Sequence, residues 1–479
     1  MKKIFFYVIA LAIIVSLITV SGLSGCKQTA AEETTAAAEE TTAAAEETTA
    51  VDETGIKKPR VPEGNVEFTL AFQPWPGGIK MTEDFIKRFE KKYPNIKVNV
   101  NYELSEDKIV AAIGAGTETD LMYFNVASLL KGGADITKLF LPLSPDLMTV
   151  DQFYETTYLE EEKRAIGSDG QVYAAMWGTG YFMGGVVYHK DITDAAGIDM
   201  TKIKDLDELM EAGKKLTEYD DNGKITRSGF GYIVQMNGLL EDLTIAYGGD
   251  PLDEKTGTWN FDTPEGLKAI EFLSRFKESM DPVGTYDWGA AVTNKLCVLS
   301  LVGPFVMGLW KDQFPDLKFG YIPIPNVPGM DKYIHTMESW AFLGASKKLT
   351  GDKKDAVLLY LYELLTNPDD SYRPAMAPEN EWWIGLAGNK NVYKSIKADI
   401  DNGKAVTPWE QWYIDIWDTR HFEPINTRLD LLPWQIEPDP FLLKMWAGEM
   451  TPKDAAIAIG NRFTELEKQL MDSGSPTPQ

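Results

Sequence analysis

The chain has 479 residues, of which 47 are basic and 72 acidic, for a formal charge of −25. A field of that sign disfavours nucleic acid and anionic lipid as partners, and two cysteines exclude a disulfide-built fold. A chain of this length builds large cores and divides into more than one domain.

Lys2 and Lys3 precede a nearly continuous apolar stretch over residues 4–20, followed by Leu23-Ser24-Gly25-Cys26. A charged start, an apolar centre and small residues at the exit describe a processed signal peptide. The cysteine that ends the run marks the lipoprotein version, in which residues 1–25 are removed and Cys26 is acylated. Loss of Lys2 and Lys3 takes the charge from −25 to −27. An ordinary signal peptide and an anchor helix are the alternatives, the stretch being about the minimum that spans a bilayer. Ala-Glu-Glu-Thr-Thr-Ala then occurs three times between residues 30 and 50. The repeat has no apolar pair to seed a coiled coil and too little apolar surface to fold. Residues 26–64 therefore read as a lipidated cysteine and an acidic, low-complexity tether.

Val66 to Leu70 alternates as a strand. A helix is expected next, capped by Thr82, with Glu83 and Asp84 in its first turn and Phe85, Ile86, Phe89 and Tyr93 as its apolar stripe. Pro94 and Asn95 end it, and Ile96 to Val100 is a second strand. Thr119 to Phe124 reads as another. Strand, helix, strand at this spacing suggests a βαβ unit and a parallel sheet. Further helices are expected over Leu206 to Leu216, from Thr263-Pro264-Glu265 onward with Leu267, Ile270, Leu273 and Phe276 on one face, over Ala356 to Leu365, and from Thr451-Pro452-Lys453-Asp454 onward. The last presents Ala455, Ala456, Ile459, Phe463, Leu466 and Leu470.

Glu218, Asp220 and Asn222 ahead of Gly223 imitate the start of a calcium loop. The position for the bidentate glutamate is Gly229, and Asp-Asn-Gly is equally a turn signal. It is thus a weak calcium-loop candidate, and no metal or other cofactor is expected. Cys297, in the apolar run Leu296 to Leu301, reads as a buried, inert thiol. His189, His335 and His421 are too scattered for a histidine-rich metal site. No zinc-protease, phosphate-loop or serine-hydrolase motif occurs.

Taken in order, several stretches resemble the bacterial extracellular solute-binding proteins of the family 1 type, the sugar-binding lipoproteins of ABC importers. They are Phe68 to Phe72 continuing to Phe89-Glu90-Lys91-Lys92-Tyr93-Pro94-Asn95; Thr119-Asp120-Leu121; Gly170 to Met176; Val187 to Asp191; Tyr247 to Asp250; Phe261 to Gly266; and Val298 to Phe305. The family usually has asparagine where this chain has His189, and the likeness weakens over residues 370–450. The resemblance implies an α/β, two-lobed periplasmic-binding-protein-like fold (type II) with a hinge and an interlobe cleft. It places lobe I at 65–178 plus 303–345 and lobe II at 179–302 plus 346–479, with Val298 to Phe305 crossing between them. It implies no enzyme activity, a monosaccharide or oligosaccharide ligand, ABC permease subunits as partners, a monomer, and membrane contact through the N-terminal lipid only. The chain would work at the extracellular face of the cytoplasmic membrane or in the periplasm.

Thirteen tryptophans and 20 tyrosines suit such a ligand. A flat ring covers the C–H face of a sugar while acids, amides and arginines meet its hydroxyls. The candidate contacts are Gln73 and Trp75 after the first strand, Asn125 after the strand ending at Phe124, Trp177 and Tyr181 beside glycines, and Trp288. The resemblance adds Glu338 and Trp340 between the lobes. Trp382, Trp383, Trp409, Arg373 and Arg420 lie in the weakly matching region. Each tryptophan has core packing as its alternative, and each arginine a plain surface role. A secreted glycoside hydrolase and a sensor or adhesin module remain as rival functions.

Overall fold

The computed structural model describes residues 55–72, 76–104, 106–124, 135–157, 165–180, 185–232, 236–253, 255–302, 306, 310, 313–330, 334–376, 389–419, 421–424 and 439–472. In chain order the main elements are β1 (Val66–Ala71), α1 (Pro76–Lys92), β2 (Ile96–Asn101), α2 (Glu106–Ala115), β3 (Leu121–Phe124), α3 (Ile136–Leu139), α4 (Val150–Thr156), β4 (Ala174–Gly180), β5 (Gly185–His189), α5 (Lys190–Ala195), α6 (Leu206–Leu216), β6 (Glu218–Tyr219), β7 (Ile225–Phe230) and α7 (Met236–Ala246). There follow β8 (Leu252–Asp253), β9 (Thr258–Trp259), α8 (Pro264–Ser274), α9 (Trp288–Thr293), β10 (Cys297–Leu301), β11 (Phe319–Pro323), β12 (Ile334–Ala345), α10 (Gly351–Thr366), α11 (Lys390–Asp401), α12 (Pro408–Thr419), β13 (His421–Pro424), α13 (Pro440–Trp446) and α14 (Pro452–Asp472).

The first βαβ unit forms as expected. β1 and β2 run parallel from Val66 opposite Ile96, and β3 joins on the other side with Leu70 opposite Leu121. The helix between them differs at its start. α1 begins at Pro76, so Thr82 is not its cap but a buried residue inside it. Gly78, Met81, Thr82, Phe85, Ile86 and Phe89 are all buried, a run spaced three and four residues apart. That stripe carries the helix back toward β1, and Pro76 supplies a preset φ for the first position.

Two sheets result. The first has the order β13-β12-β3-β1-β2, with β4 also paired to β12; the second has the order β11-β5-β10-β7-β6. Each has its own core. The first gathers Phe68, Phe85, Leu121, Phe140, Phe342, Leu359 and Tyr413; the second gathers Leu209, Phe230, Leu240, Ile270, Leu299, Ile459 and Phe463. These cores divide the chain differently from the expected boundaries. β10 pairs with β5 and β7 in the middle of the second sheet, so Val298 to Leu301 does not cross between lobes. β11 also belongs to the second sheet. The return crossing comes between β11 and β12. α10, α11 and α12 pack on the first core, leaving α13 and α14 with the second.

The tether also ends earlier than expected. Ile56 is buried in the first core. Lys57 N donates to Leu147 O (3.0 Å), Arg60 pairs with Asp352 and with Asp355 (2.7 Å), and Asn95 Nδ2 donates to Pro62 O (2.7 Å). Residues 55–62 therefore form a strap on the first lobe. Among the described residues, no helix is long and apolar enough to cross a membrane.

Candidate functional site

Ligands of open α/β sheets bind beyond the carboxyl ends of the strands, where the chain switches direction. On the first lobe these ends carry Phe72, Tyr123 and, on β4, Trp177. Their rings form a cluster, with centroids 4.7 Å apart for Phe72–Tyr123, 5.3 Å for Phe72–Trp177 and 5.6 Å for Tyr123–Trp177. Trp177 is only 4% exposed. It is enclosed by its neighbours and acts as support beneath the strand ends rather than as an open platform. Tyr372 Oη donates to Met176 O (3.2 Å) and ties the same strand from behind.

β4 and β12 are where the two cores meet along the chain. β4 is the last element of the first core before β5 enters the second sheet, and β12 is the strand that returns. Their antiparallel pairing is regular from Gly344 opposite Ala174 to Phe342 opposite Met176, then shifts. Ala341 faces Gly178 and Glu338 faces Gly180, so Ser339 and Trp340 together oppose Thr179 alone. This is a bulge, a feature that bends a strand and re-aims its side chains, and it recurs beside binding sites. The Glu338-Ser339-Trp340 segment thus lies inside β12, between its pairing with β13 and its pairing with β3. α7 of the second lobe packs along β12.

The remaining sequence candidates separate into three groups. Cys26, Gln73, Trp75, Asn125, Tyr181, Trp382, Trp383 and Arg420 lie outside the described residues. Trp288 opens α9, is half-buried, and packs at 5.6 Å from Trp310 in a small cluster on the second sheet with Val187, Val292 and Cys297. Arg373 and Trp409 are structural in this fold. Arg373 Nε donates to Glu410 Oε1 (2.8 Å), and its Nη1 meets Asp399 Oδ2 (2.8 Å), Ser395 Oγ (2.9 Å) and Asp369 Oδ1 (3.1 Å). Those partners hold the Nε and Nη1 side of the guanidinium in an internal charged cluster. Trp409 is half-buried against the first core. Thr407-Pro408-Trp409-Glu410 is a capping box, with Glu410 N donating to Thr407 Oγ1 (3.1 Å) and Thr407 N to Glu410 Oε2 (2.8 Å). The Thr-x-x-Glu spacing was the available signal for it.

The calcium-loop candidate is a hairpin turn between β6 and β7. Asp220 Oδ1 accepts from Asn222 N (2.9 Å) and Lys224 N (2.8 Å), Gly223 takes φ +80°, and Glu218 pairs with Arg227 (2.5 Å). The turn reading explains these residues without an ion. Among the described residues, no three His, Cys, Asp or Glu side chains gather as a metal site. Burial pushes the Cys297 thiol up to about 12, which keeps it protonated and unreactive. On the second lobe, the carboxyl end of β7 carries an aromatic pair, Tyr232 and Tyr286, that the sequence reading did not single out. No motif marks either residue.

Two α/β lobes, each on its own sheet, with a doubled crossing beside aromatic strand ends, define the two-lobed periplasmic-binding-protein fold. Residues 84–404 match the family described as bacterial extracellular solute-binding protein, and the chain belongs to that family. An uncharacterized ABC transporter extracellular-binding protein of Pyrococcus horikoshii is 26% identical over 271 residues, 52% of this chain and 58% of that protein. An arabinooligosaccharide-binding protein of Halalkalibacterium halodurans is 22% identical over 208 residues, 41% of this chain and 42% of that one. The chain thus spans about half the length of the curated relatives it matches. An ABC substrate-binding protein of Listeria monocytogenes, solved in complex with cycloalternan, superposes with a TM-score of 0.61 at 18% identity, covering 84% of this chain and 99% of that one.

Proposed function

We propose that this protein captures a carbohydrate between its lobes and delivers it to the membrane subunits of an ABC importer. It does so as a monomer, held at the outer face of the membrane by lipid on Cys26 and the acidic tether. The observation that carries the reading is the concentration of aromatic side chains at the strand ends and crossings. Phe72, Tyr123 and Trp177 form a buried aromatic base beneath the first lobe's strand ends, and Trp340 lies in the bulge of the strand that returns to the first sheet. Gln73, Trp75, Asn125 and Tyr181 follow or precede those same strand ends in sequence, and we assign them to the ligand wall with Glu338. Rings of this kind cover the C–H face of a sugar, and the nearby acids and amides take its hydroxyls. The arabinooligosaccharide and cycloalternan named for two of the relatives support the carbohydrate class.

Thermal unfolding of the mature chain against monosaccharides, oligosaccharides, peptides, polyamines and calcium tests this. A ligand at 100 times its Kd stabilises by about 2.7 kcal/mol, enough to raise the unfolding temperature measurably. A shift from one sugar class is expected. A shift from another ligand class alone would keep the fold and overturn the substrate. For the anchor, intact mass of the membrane-extracted chain should show a diacylated N-terminal Cys26; an unmodified cysteine there would remove the lipid from the proposal.

A further inference from the structure

Among the described residues, β4 has β12 as its only strand neighbour. The regular part of that ladder ends at Met176 opposite Phe342, one residue before Trp177. Beyond it lie Gly178, Thr179 and Gly180, opposite the bulged Ser339 and Trp340. Glycines inside a strand weaken it, because they keep more backbone freedom and offer no side chain to pack. At Met176 a bond arrives from outside the ladder: Met176 O accepts from Tyr372 Oη (3.2 Å). Met176 and Tyr372 are each 1% exposed, so water does not replace that bond when it is lost.

Tyr372 is itself held in place. It belongs to a compact turn after α10, the helix that packs along β4. Ser371 N donates to Asn367 O (3.0 Å) and Tyr372 N to Pro368 O (3.1 Å). Ser371 is fully buried, and its Oγ donates to Asn367 O (2.9 Å). Arg88 of α1 donates from Nε to Asp370 O (2.6 Å). On the other side, Arg373 pairs with Asp369 (3.1 Å), with Asp399 of α11 (2.8 Å) and with Glu410 of α12 (2.8 Å). Helices α1, α10, α11 and α12 thus fix the position of one hydroxyl. Its bond meets β4 next to Trp177, whose ring packs with Phe72 and Tyr123 beneath the strand ends. A binding wall keeps its geometry when the groups behind it are locked by packing and hydrogen bonds of their own.

We propose that Tyr372 is a positioning residue for ligand binding: through Met176 O it sets where the Gly178–Gly180 end of β4 stands against the bulge of β12. It touches no ligand and acts through the strand. This rests on the carbohydrate reading above. The test uses the mature chain as wild type, Tyr372→Phe and Ile396→Val. Each is titrated calorimetrically with maltotriose, arabinotriose and mannobiose, and hydrogen exchange of the unliganded chain is read by mass spectrometry. Tyr372→Phe keeps the buried ring and removes the hydroxyl. Ile396→Val trims a buried side chain of the same core on α11 and breaks no hydrogen bond, so it reports what a general loss of stability does. For the sugar that wild type binds, Tyr372→Phe should raise Kd roughly five-fold and speed exchange over residues 174–180. Ile396→Val should leave both at their wild-type values. An unchanged Kd in Tyr372→Phe, an equal rise in Ile396→Val, or a rise without faster exchange over 174–180 overturns the positioning role and leaves the carbohydrate reading standing. Failure of wild type to bind any of the three sugars, with unfolding shifted by a peptide or polyamine instead, overturns the carbohydrate reading. Exchange then decides the role of Tyr372: unchanged protection over 174–180 in Tyr372→Phe overturns it, and faster exchange confined to that stretch supports it.

Discussion

The fold gives His189 an environment hostile to charge. Its ring is buried, Nε2 donates to Val292 O (2.8 Å), the Phe319 ring lies tilted against it at 5.0 Å, and Nδ1 is buried without a hydrogen-bond partner among the described residues. Burial holds its pKa below the usual histidine value, outweighing the carbonyl bond to Val292 and Asp191, which favour the proton; Lys295 and Arg227 add to the depression. The unfolded chain takes up the proton near pH 6.5 while the native chain resists it. Below that pH the unfolded state binds more protons, so stability falls as pH drops, until the lower native pKa is passed. Above pH 6.5 both states are neutral and the group contributes no slope. His189→Asn removes this penalty. The wild-type advantage in unfolding free energy should therefore shrink between pH 7.5 and 5.5, read from denaturant titrations at each pH. A constant difference across that window would sink the argument. The same scale shows what residue types conceal. Trp177 and Trp409 look alike to a sequence reader as ring platforms, yet one is enclosed by Phe72 and Tyr123 and the other leans on the first core. Arg373 has the chemistry of a hydroxyl donor, but its carboxylate partners come from residues 369, 399 and 410, a convergence that only the fold creates.

Elements were legible where a local signal was complete. α6 runs from Leu206 to Leu216 as expected, and Thr263 caps α8 through a bond from Gly266 N (3.1 Å). Periodicity says which face of a helix is buried but not against which sheet. The apolar Ala356 to Leu365 stripe was therefore read correctly as a helix and assigned to the wrong lobe. The strap at 55–62 carried still less signal, because one isoleucine between glycine and lysines has no period. Its energetics follow from burial. Ile56 lies in the first core, and truncating a buried isoleucine to alanine costs about 2–5 kcal/mol. Arg60 makes two ion pairs from an exposed position, where solvent screening leaves them little weight. Ile56→Ala should thus lower unfolding free energy in urea by that amount, and Arg60→Ala should change it far less. Equal losses would mean that the charge pairs, and not the buried side chain, hold the strap. A soluble form cut at residue 63 should unfold earlier than one cut at residue 55 for the same reason.

At the scale of the molecule, the described residues place the chain in alternating cores on either side of three intervals: Gly180 to Gly185, the second-sheet strand β11 to the first-sheet strand β12, and Pro424 to Asp439. Each lobe is therefore discontinuous in sequence, and the connections are few beside the packing within each core. Two well-packed bodies joined by a few strands move more readily against each other than they deform internally. The bulge at Ser339 and Trp340 lies within β12, the strand that follows one of those connections, and α7 of the second lobe packs against the same strand. A ligand held by both lobes binds the closed arrangement better than the open one and shifts the population toward it. Small-angle X-ray scattering should show a smaller radius of gyration when the cognate sugar saturates the mature chain, at unchanged forward scattering. An identical radius with and without saturating ligand would mean that the lobes are already locked, and that ligand enters a preformed cleft without closure.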